Sequence, residues 1–176
     1  MNVIGGSLKG KKLIAAKWKW LRPTRQIVKK SLFDTLGVIS GLKFLDLYAG
    51  TGSIGIEAAS RGAVVTMVDY RREAVKIIAE NRDRCNLSGC VKIEHETAEQ
   101  FLAAGREKYD IIFIDPPYDM PAEKIDCIIR DTRQSITDIE SGIVVLEYKE
   151  VFKTNFAKNL KVRLHGMTVL NYFSFS

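Results

Sequence analysis

Asp115-Pro116-Pro117-Tyr118 closes the apolar run Ile111 to Ile114 and brings a carboxylate, a rigid turn and an aromatic ring within four residues. Proline has no N–H for a sheet ladder and biases the preceding residue toward extended geometry, so a strand must stop there. Four successive apolar residues are the pattern of a strand covered on both faces. The carboxyl ends of such strands are where open α/β sheets bind ligands. The chemistry that suits this trio is a reaction at the exocyclic amine of a nucleobase. The lone pair of that amine is delocalised into the ring, and two acceptors on its two protons pull the nitrogen toward tetrahedral geometry. The Asp115 carboxylate and the Pro116 carbonyl can supply them. Tyr118 can fix the plane of the base by stacking, which is worth roughly 1–3 kcal/mol per base. A plain strand-ending turn and a proline-rich ligand for an aromatic groove are the competing readings. The second needs an exposed segment, and the residues before the turn read as buried.

A second apolar strand enters a glycine loop at Lys43 to Gly55, K-F-L-D-L-Y-A-G-T-G-S-I-G. Gly50, Gly52 and Gly55 permit close backbone approach to a ligand, and a helix beginning near Ser53 offers its N-terminal N–H groups. Asp46 lies on the strand just before the loop. A third strand, Val64 to Val68, ends in Asp69, where an acid is suited to accepting from ribose hydroxyls. Gly50-x-Gly52-x-x-Gly55 also fits a dinucleotide fingerprint. Against a nicotinamide enzyme, 176 residues leave no room for a substrate domain beside one nucleotide fold. Asp46 also sets negative charge where a pyrophosphate would lie, and it would attract a cofactor carrying a sulfonium and an ammonium. S-adenosylmethionine is the cofactor these residues point to.

The chain carries +6 at neutral pH with 46% hydrophobic residues, ordinary for one globular domain. No stretch approaches the ~20 apolar residues of a membrane span, and Met1 to Gly10 lacks the apolar core of a signal peptide. Cys85, Cys90 and Cys127 are odd in number and form no C-x-x-C, and His95 and His165 stand far apart, so neither disulfides nor a metal site is expected. A reducing cytoplasm follows. Nine basic residues fall between Met1 and Phe33, with no acid before Asp34. Such an arm on an acidic body points to a polyanion. Lys17, Trp18 and Lys19, together with Trp20, interleave charge with aromatic rings, a pattern for phosphate attraction and base stacking; the alternative is a solvated face anchored by the two Trp residues.

Positioning these groups requires an alternation of strands and helices. Val3 to Ala16 reads as a hairpin turning at Ser7 to Gly10, followed by a helix to about Ile39 with Val28, Leu32, Leu36 and Ile39 on one face. Strands at 43–48, 64–69, 91–94, 110–115 and 142–147 alternate with helices at 53–61, 71–86, 97–104 and 121–134. Two closing strands near 160–165 and 167–174 are too closely connected for a crossover and should be antiparallel. The pattern is α/β, a mostly parallel sheet with helices on both faces. Residues 1–40 form a basic extension and 41–176 the catalytic part, in one compact unit. Glu147 could face the same crevice and is left outside the predicted site.

The chain resembles the RsmD family, bacterial methyltransferases acting on the 2-amino group of a guanine in 16S ribosomal RNA. The likeness rests on Ile4-Gly5-Gly6 with Gly10, Leu21-Arg22-Pro23-Thr24, Ser31-Leu32-Phe33, Leu45 to Gly52, Gly55-x-Glu57-Ala58-x-Ser60-Arg61-Gly62-Ala63, Asn81 and Ile114 to Tyr118. It implies a Rossmann-like methyltransferase fold with a seven-stranded, mostly parallel sheet and an antiparallel C-terminal strand. It implies S-adenosylmethionine as donor, S-adenosylhomocysteine as product, and no metal. Asp46, Tyr48, Gly50 and Gly52 would then hold the methionine and ribose part, and Asp69 with Tyr70 the ribose. Asp115, Pro116 and Tyr118 would hold the guanine. Where family members often carry an Asp for the adenine amine, this chain has Glu96-Thr97-Ala98, so Glu96 or a backbone group takes that part. Lys17, Trp18, Lys19, Arg22 and Arg25 would contact the 16S rRNA, free or in a 30S particle, from a monomer with no membrane partner. Methylation of an adenine or cytosine amine, or a non-catalytic RNA-binding role, is the alternative.

Overall fold

The computed structural model describes residues 1–16 and 25–175. Its centre is a seven-stranded sheet in the order β3-β2-β1-β4-β5-β7-β6. The strands are β1 (Lys43–Leu47), β2 (Val64–Val68), β3 (Val91–Glu94), β4 (Ile111–Ile114), β5 (Ile143–Tyr148), β6 (Lys158–His165) and β7 (Thr168–Ser174). The first five pair in parallel, while β7 runs antiparallel to both β5 and β6. The helices are α1 (Gln26–Leu36), α2 (Ser53–Ser60), α3 (Arg72–Arg84), α4 (Ala98–Ala104) and α5 (Ala122–Thr132). The order reverses between β1 and β4, and their carboxyl ends part there to leave a crevice.

Side chains alternate across each strand and so divide between two cores. Phe44, Met67, Phe113, Val145 and Leu170 meet Val28, Leu32 and Phe33 of α1 and Ile54 of α2. Leu45, Leu47, Ile112, Ile114, Val144 and Leu146 meet Phe101 and Leu102 of α4 and Ile125, Ile128 and Ile129 of α5. The same alternation puts Asp46, Asp115 and Glu147 on the first face, at three neighbouring strand tips. Asp115 is one step beyond the Ile114–Leu146 pair, which makes Glu147 its neighbour on the adjoining strand.

The first sixteen residues are fastened to that face. Val3 N–H donates to the Lys11 carbonyl at 3.0 Å and Gly10 N–H to the Val3 carbonyl at 2.9 Å, which closes the expected turn. Glu57, fully buried on α2, accepts from Ile4 N–H at 2.8 Å, from Arg61 Nη2 at 3.0 Å, and stands 3.4 Å from Lys29 Nζ. Asn81 accepts from Ile14 N–H at 2.7 Å and donates to the carbonyls of Ile14 and Thr51. The motif residues Glu57, Ser60, Arg61 and Asn81 are thus clamps for the N-terminal segment. Helix α1 stops three residues before the expected Ile39, because Gly37 turns to positive φ and donates its N–H to the Phe33 carbonyl. Ile39 reaches the core all the same, from the loop. Among the described residues, no helix is long and apolar enough to cross a membrane.

Candidate active site

The tip of β1 is built for close approach. Gly52, left-handed at φ 76°, turns the chain into α2 and donates to the Ala49 carbonyl at 2.8 Å. A side chain on Gly55 would meet Met67 Sδ at 2.6 Å and Asp46 Oδ2 at 3.2 Å, so the third glycine is there for space. Asp46 Oδ2 instead accepts from Gly55 N–H at 2.9 Å and ties the start of α2 to the strand. Tyr48 adopts φ 64°, a left-handed conformation that costs a non-glycine residue about 1–2 kcal/mol. Such strain persists where the surroundings impose it, and it concentrates at functional sites. Its hydroxyl is buried with no hydrogen-bond partner among the described residues.

Across the crevice, Asp115 N–H reaches back to the Leu47 carbonyl at 3.4 Å, and Met120 N–H closes the proline turn on the Pro117 carbonyl at 2.9 Å. Tyr118 is fixed from two sides. Its hydroxyl shares a 3.0 Å hydrogen bond with Thr168 Oγ1 on β7, and the edge-on Tyr148 ring lies 6.2 Å away. Between these tips opens a cleft of about 430 Å³. Its walls carry Tyr48, Gly50, Asp69, Tyr70, Asp115, Pro116 and Tyr118, with Glu147, Thr168, Met167, Arg25 and Arg71 completing them.

Acid dominates the floor. Burial pushes Asp46 up to about 8, against the Gly55 N–H that holds it down, with the charges of Asp115 and Asp69 adding to the rise. Burial likewise lifts Asp115 to about 7. Glu147 is raised well above the ordinary carboxylate range by burial and then by Asp115 and Asp46, and its Oε2 has no partner among the described residues. Carboxyls that burial keeps from ionising are relieved when a positive charge comes close enough to stabilise the ionised form. A ligand carrying positive charge, with groups to engage the solitary Tyr48 hydroxyl and Glu147, fits that condition.

The structure thus brings together Tyr48, Gly50, Asp69, Tyr70, Asp115, Pro116, Tyr118 and Arg25. Asp46 and Gly52 stand behind the wall. Asp69 is already engaged, Oδ2 with Gly50 N–H and Oδ1 with Arg71 N–H, both at 2.9 Å, so it also fixes the two loops against each other. The segment 96–98 is committed elsewhere. Glu96 bonds Arg106 at 2.6 Å, Thr97 caps α4 in a reciprocal pair with Gln100, and Ala98 is in the core. Lys17, Trp18, Lys19 and Arg22 lie outside the described residues. Glu147, left out of the expected site, lines it. The signal was its place after the apolar run 143–146, the same placement that singled out Asp115. Thr168 and Met167 have no signal in the local sequence, since only the strand order carries β7 beside β5.

The profile of the family described as Conserved hypothetical protein 95 matches residues 1–174. The protein YlbH of Bacillus subtilis is 37% identical over 153 residues, 84% of this chain and 82% of that protein. The ribosomal RNA small subunit methyltransferase D of Escherichia coli is 33% identical over 120 residues, 67% of this chain and 60% of that protein. Among solved structures, the Escherichia coli protein yhhF matches with a TM-score of 0.86 at 24% identity, covering 100% of this chain and 98% of its own. A methyltransferase-fold structure complexed with S-adenosylhomocysteine, SMU.776, matches with a TM-score of 0.69 at 16% identity over 84% of this chain and 48% of its own. With a family profile running along nearly its whole length and a relative above 30% identity over most of it, the chain belongs to the Conserved hypothetical protein 95 family, the RsmD family that its motifs resemble.

Proposed function

We propose that the chain transfers a methyl group from S-adenosylmethionine to the exocyclic 2-amino group of a guanine in small-subunit ribosomal RNA. Methylation of ribosomal RNA is the coarse part of this reading, supported by the family and by relatives named for that activity. The observation that carries the chemistry is the meeting of Asp115-Pro116-Pro117-Tyr118 with the glycine loop across one acid-floored cleft. Bound S-adenosylmethionine supplies a methyl group on a cationic sulfur. Gly50, Tyr48, Asp69 and Tyr70 hold it, and Asp46 behind the loop contributes negative potential. Asp115 and the Pro116 carbonyl accept from the two amine protons, which frees the nitrogen lone pair from the ring. Tyr118, braced by Thr168 and Tyr148, sets the base plane. Holding both reactants in line supplies most of the acceleration, as in other two-substrate reactions. The proton shed by the methylated amine passes to the Asp115–Glu147 pair, whose raised affinity for protons suits that step.

Glu147 offers guanine a further contact. Beside the 2-amino group guanine presents N1–H, a donor, whereas the ring nitrogen beside the amine of adenine or cytosine is an acceptor. An oxygen without a partner next to Asp115 answers a donor there. The test is labelled S-adenosylmethionine with small-subunit RNA from a strain lacking the enzyme, followed by nucleoside analysis. Label in 2-methylguanosine is the expected result. Label in a methylated adenine or cytosine would replace the base assignment, and no uptake by any RNA would overturn the reading.

A further inference from the structure

From Val151 to the end the sequence holds Lys153, Lys158, Lys161 and Arg163 and no acid. The chain's +6 is therefore +9 up to Phe33, +4 from Val151 onward and −7 between them. The fold brings the end of the first segment to the last one, since α1 packs on β6 and β7. A groove of about 540 Å³ runs between α1 and β6, with Ile27 and Lys30 on one wall and Arg163 and His165 on the other. We propose that this face, formed by α1 and the β6–β7 hairpin, is the track along which the RNA flanking the target base lies. The proposal rests on the function given above and names where that substrate is held.

Register supplies the direction. After the bulge at Asn159/Lys161, the residues Lys161, Arg163 and His165 pair with Tyr172, Leu170 and Thr168. Cross-strand partners share a face, so the three basic side chains follow one side of the sheet toward Thr168. Thr168 is the residue that bonds Tyr118 in the cleft. The β6–β7 turn closes beside Arg25, because a side-chain carbon on Gly166 would lie 3.8 Å from the Arg25 guanidinium. Arg25 in turn lines the mouth of the cleft. Eight residues of strand span about 26 Å, the length of a few nucleotides, ending where the base must enter. Met167, in the turn at that end, is 71% exposed and lines the cleft.

Lysines on an edge strand also block edge-to-edge pairing, and that function would account for the charge alone. It does not call for the exposed Met167 side chain at the cleft, which a base can cover and a solvated edge cannot. Asp34, the acid in the groove, is paired with Lys30.

The experiment compares the full chain with Lys161→Ala/Arg163→Ala, using in-vitro transcribed small-subunit ribosomal RNA as the probe. Apparent affinity is measured against salt concentration, alongside S-adenosylhomocysteine affinity as a control for folding. Each lost phosphate contact flattens the slope of log affinity against log salt by roughly 0.7–0.9. The double variant should therefore lose about 1.5 from the slope and about tenfold in RNA affinity near physiological salt, with cofactor affinity unchanged. An unchanged slope and affinity would assign the charge to edge protection and overturn the track. The wild-type protein gives a second reading that needs no catalysis. Bound RNA should shield Lys161 from chemical acetylation relative to Lys76, exposed on α3. Equal labelling of both would refute the track even if methyl transfer occurs. Shielding without any methyl uptake would uphold the track and strike the catalytic reading alone.

Discussion

Asp46→Asn should make the ligand-free protein more stable and the same protein a worse binder of S-adenosylmethionine. Asp46 is 2% exposed and held near 8 rather than its ordinary 3.8, chiefly by burial. The sign follows from proton counting. Below about pH 4 the carboxyl is protonated in both native and unfolded chains, and the substitution gains little. Between 3.8 and 8 the unfolded chain ionises while the native one keeps its proton, so the wild type loses stability as pH rises. Above 8 the loss is complete. One pKa unit is worth about 1.4 kcal/mol, which sets an upper bound near 6 kcal/mol, and water entering an open cleft brings the working figure to roughly 3 kcal/mol. For a chain of this size 1 kcal/mol moves Tm by about 2–4 °C, so the gain at pH 8 is roughly 6–12 °C. At pH 5.5 it should shrink to about two-fifths of that, in proportion to the distance from 3.8. Asn keeps an oxygen for Gly55 N–H, so the hydrogen bond at 2.9 Å survives and the comparison isolates charge. Thermal melts of both proteins at the two pH values, without ligand, give the answer, and calorimetric titration with S-adenosylmethionine should show binding weakened at least tenfold. A Tm gain equal at pH 5.5 and pH 8, or no gain, would refute the argument that the buried charge is kept for a cationic ligand at the expense of stability.

Three further outcomes test the remaining parts of the site and its support. Asp115→Ala should lower the methyl-transfer rate about 100-fold or more, as loss of one preorganised electrostatic group does. In the wild type kcat/KM should rise through about pH 7 as Asp115 ionises, and Asp115→Asn should abolish that limb; a limb that survives the substitution would remove Asp115 from catalysis. Glu57→Gln leaves Lys29, 1% exposed, without its counter-charge. The expected cost is about 3 kcal/mol, the low end for a broken buried pair, read by chemical denaturation, together with faster trypsin cleavage at Lys9, Lys11 or Lys12 as the N-terminal segment loosens.

Where local chemistry decided the outcome, the sequence was enough to place it. Apolar runs bounded by Gly50, Asp69 and Pro116 located β1, β2 and β4 within a residue, because a strand buried on both faces has a composition no surface segment shares. The third loop is less legible. Glu96 and Thr97 follow β3 where a cofactor contact was expected, yet Glu96 found Arg106 and Thr97 found the first turn of α4, partners ten and three residues away that compete locally for the same groups. Glu57 and Asn81 were legible as a motif without their role at the N-terminal segment, since the partners Ile4, Ile14 and Lys29 lie 28 to 67 residues off and only the folded chain brings them near. Thr168 and the basic side of β6 needed the strand order itself. The closing hairpin is antiparallel at the sheet edge, and its turn also lines the cleft through Met167 and Thr168.

The distribution of charge then follows from having two ligands of opposite sign at one opening. A floor of Asp69, Asp115 and Glu147, with Asp46 behind it, attracts a cation and repels phosphate, while Arg25 at the mouth and Lys30 and Arg163 in the neighbouring groove do the reverse. A nucleic-acid backbone is therefore stopped at the rim, and the part of it that can enter is the uncharged base. Extruding that base costs a few kcal/mol, less from a loop than from a duplex, and on the proposed function stacking on Tyr118 with hydrogen bonds to Asp115 and Glu147 would offset it. Neutralising the floor would let phosphate compete for the cleft, and neutralising the rim would leave nothing to hold the strand while the base turns inward. The unfavourable ionisation of the floor in the empty protein and the positive charge of the two chain ends are thus complementary requirements of a single reaction.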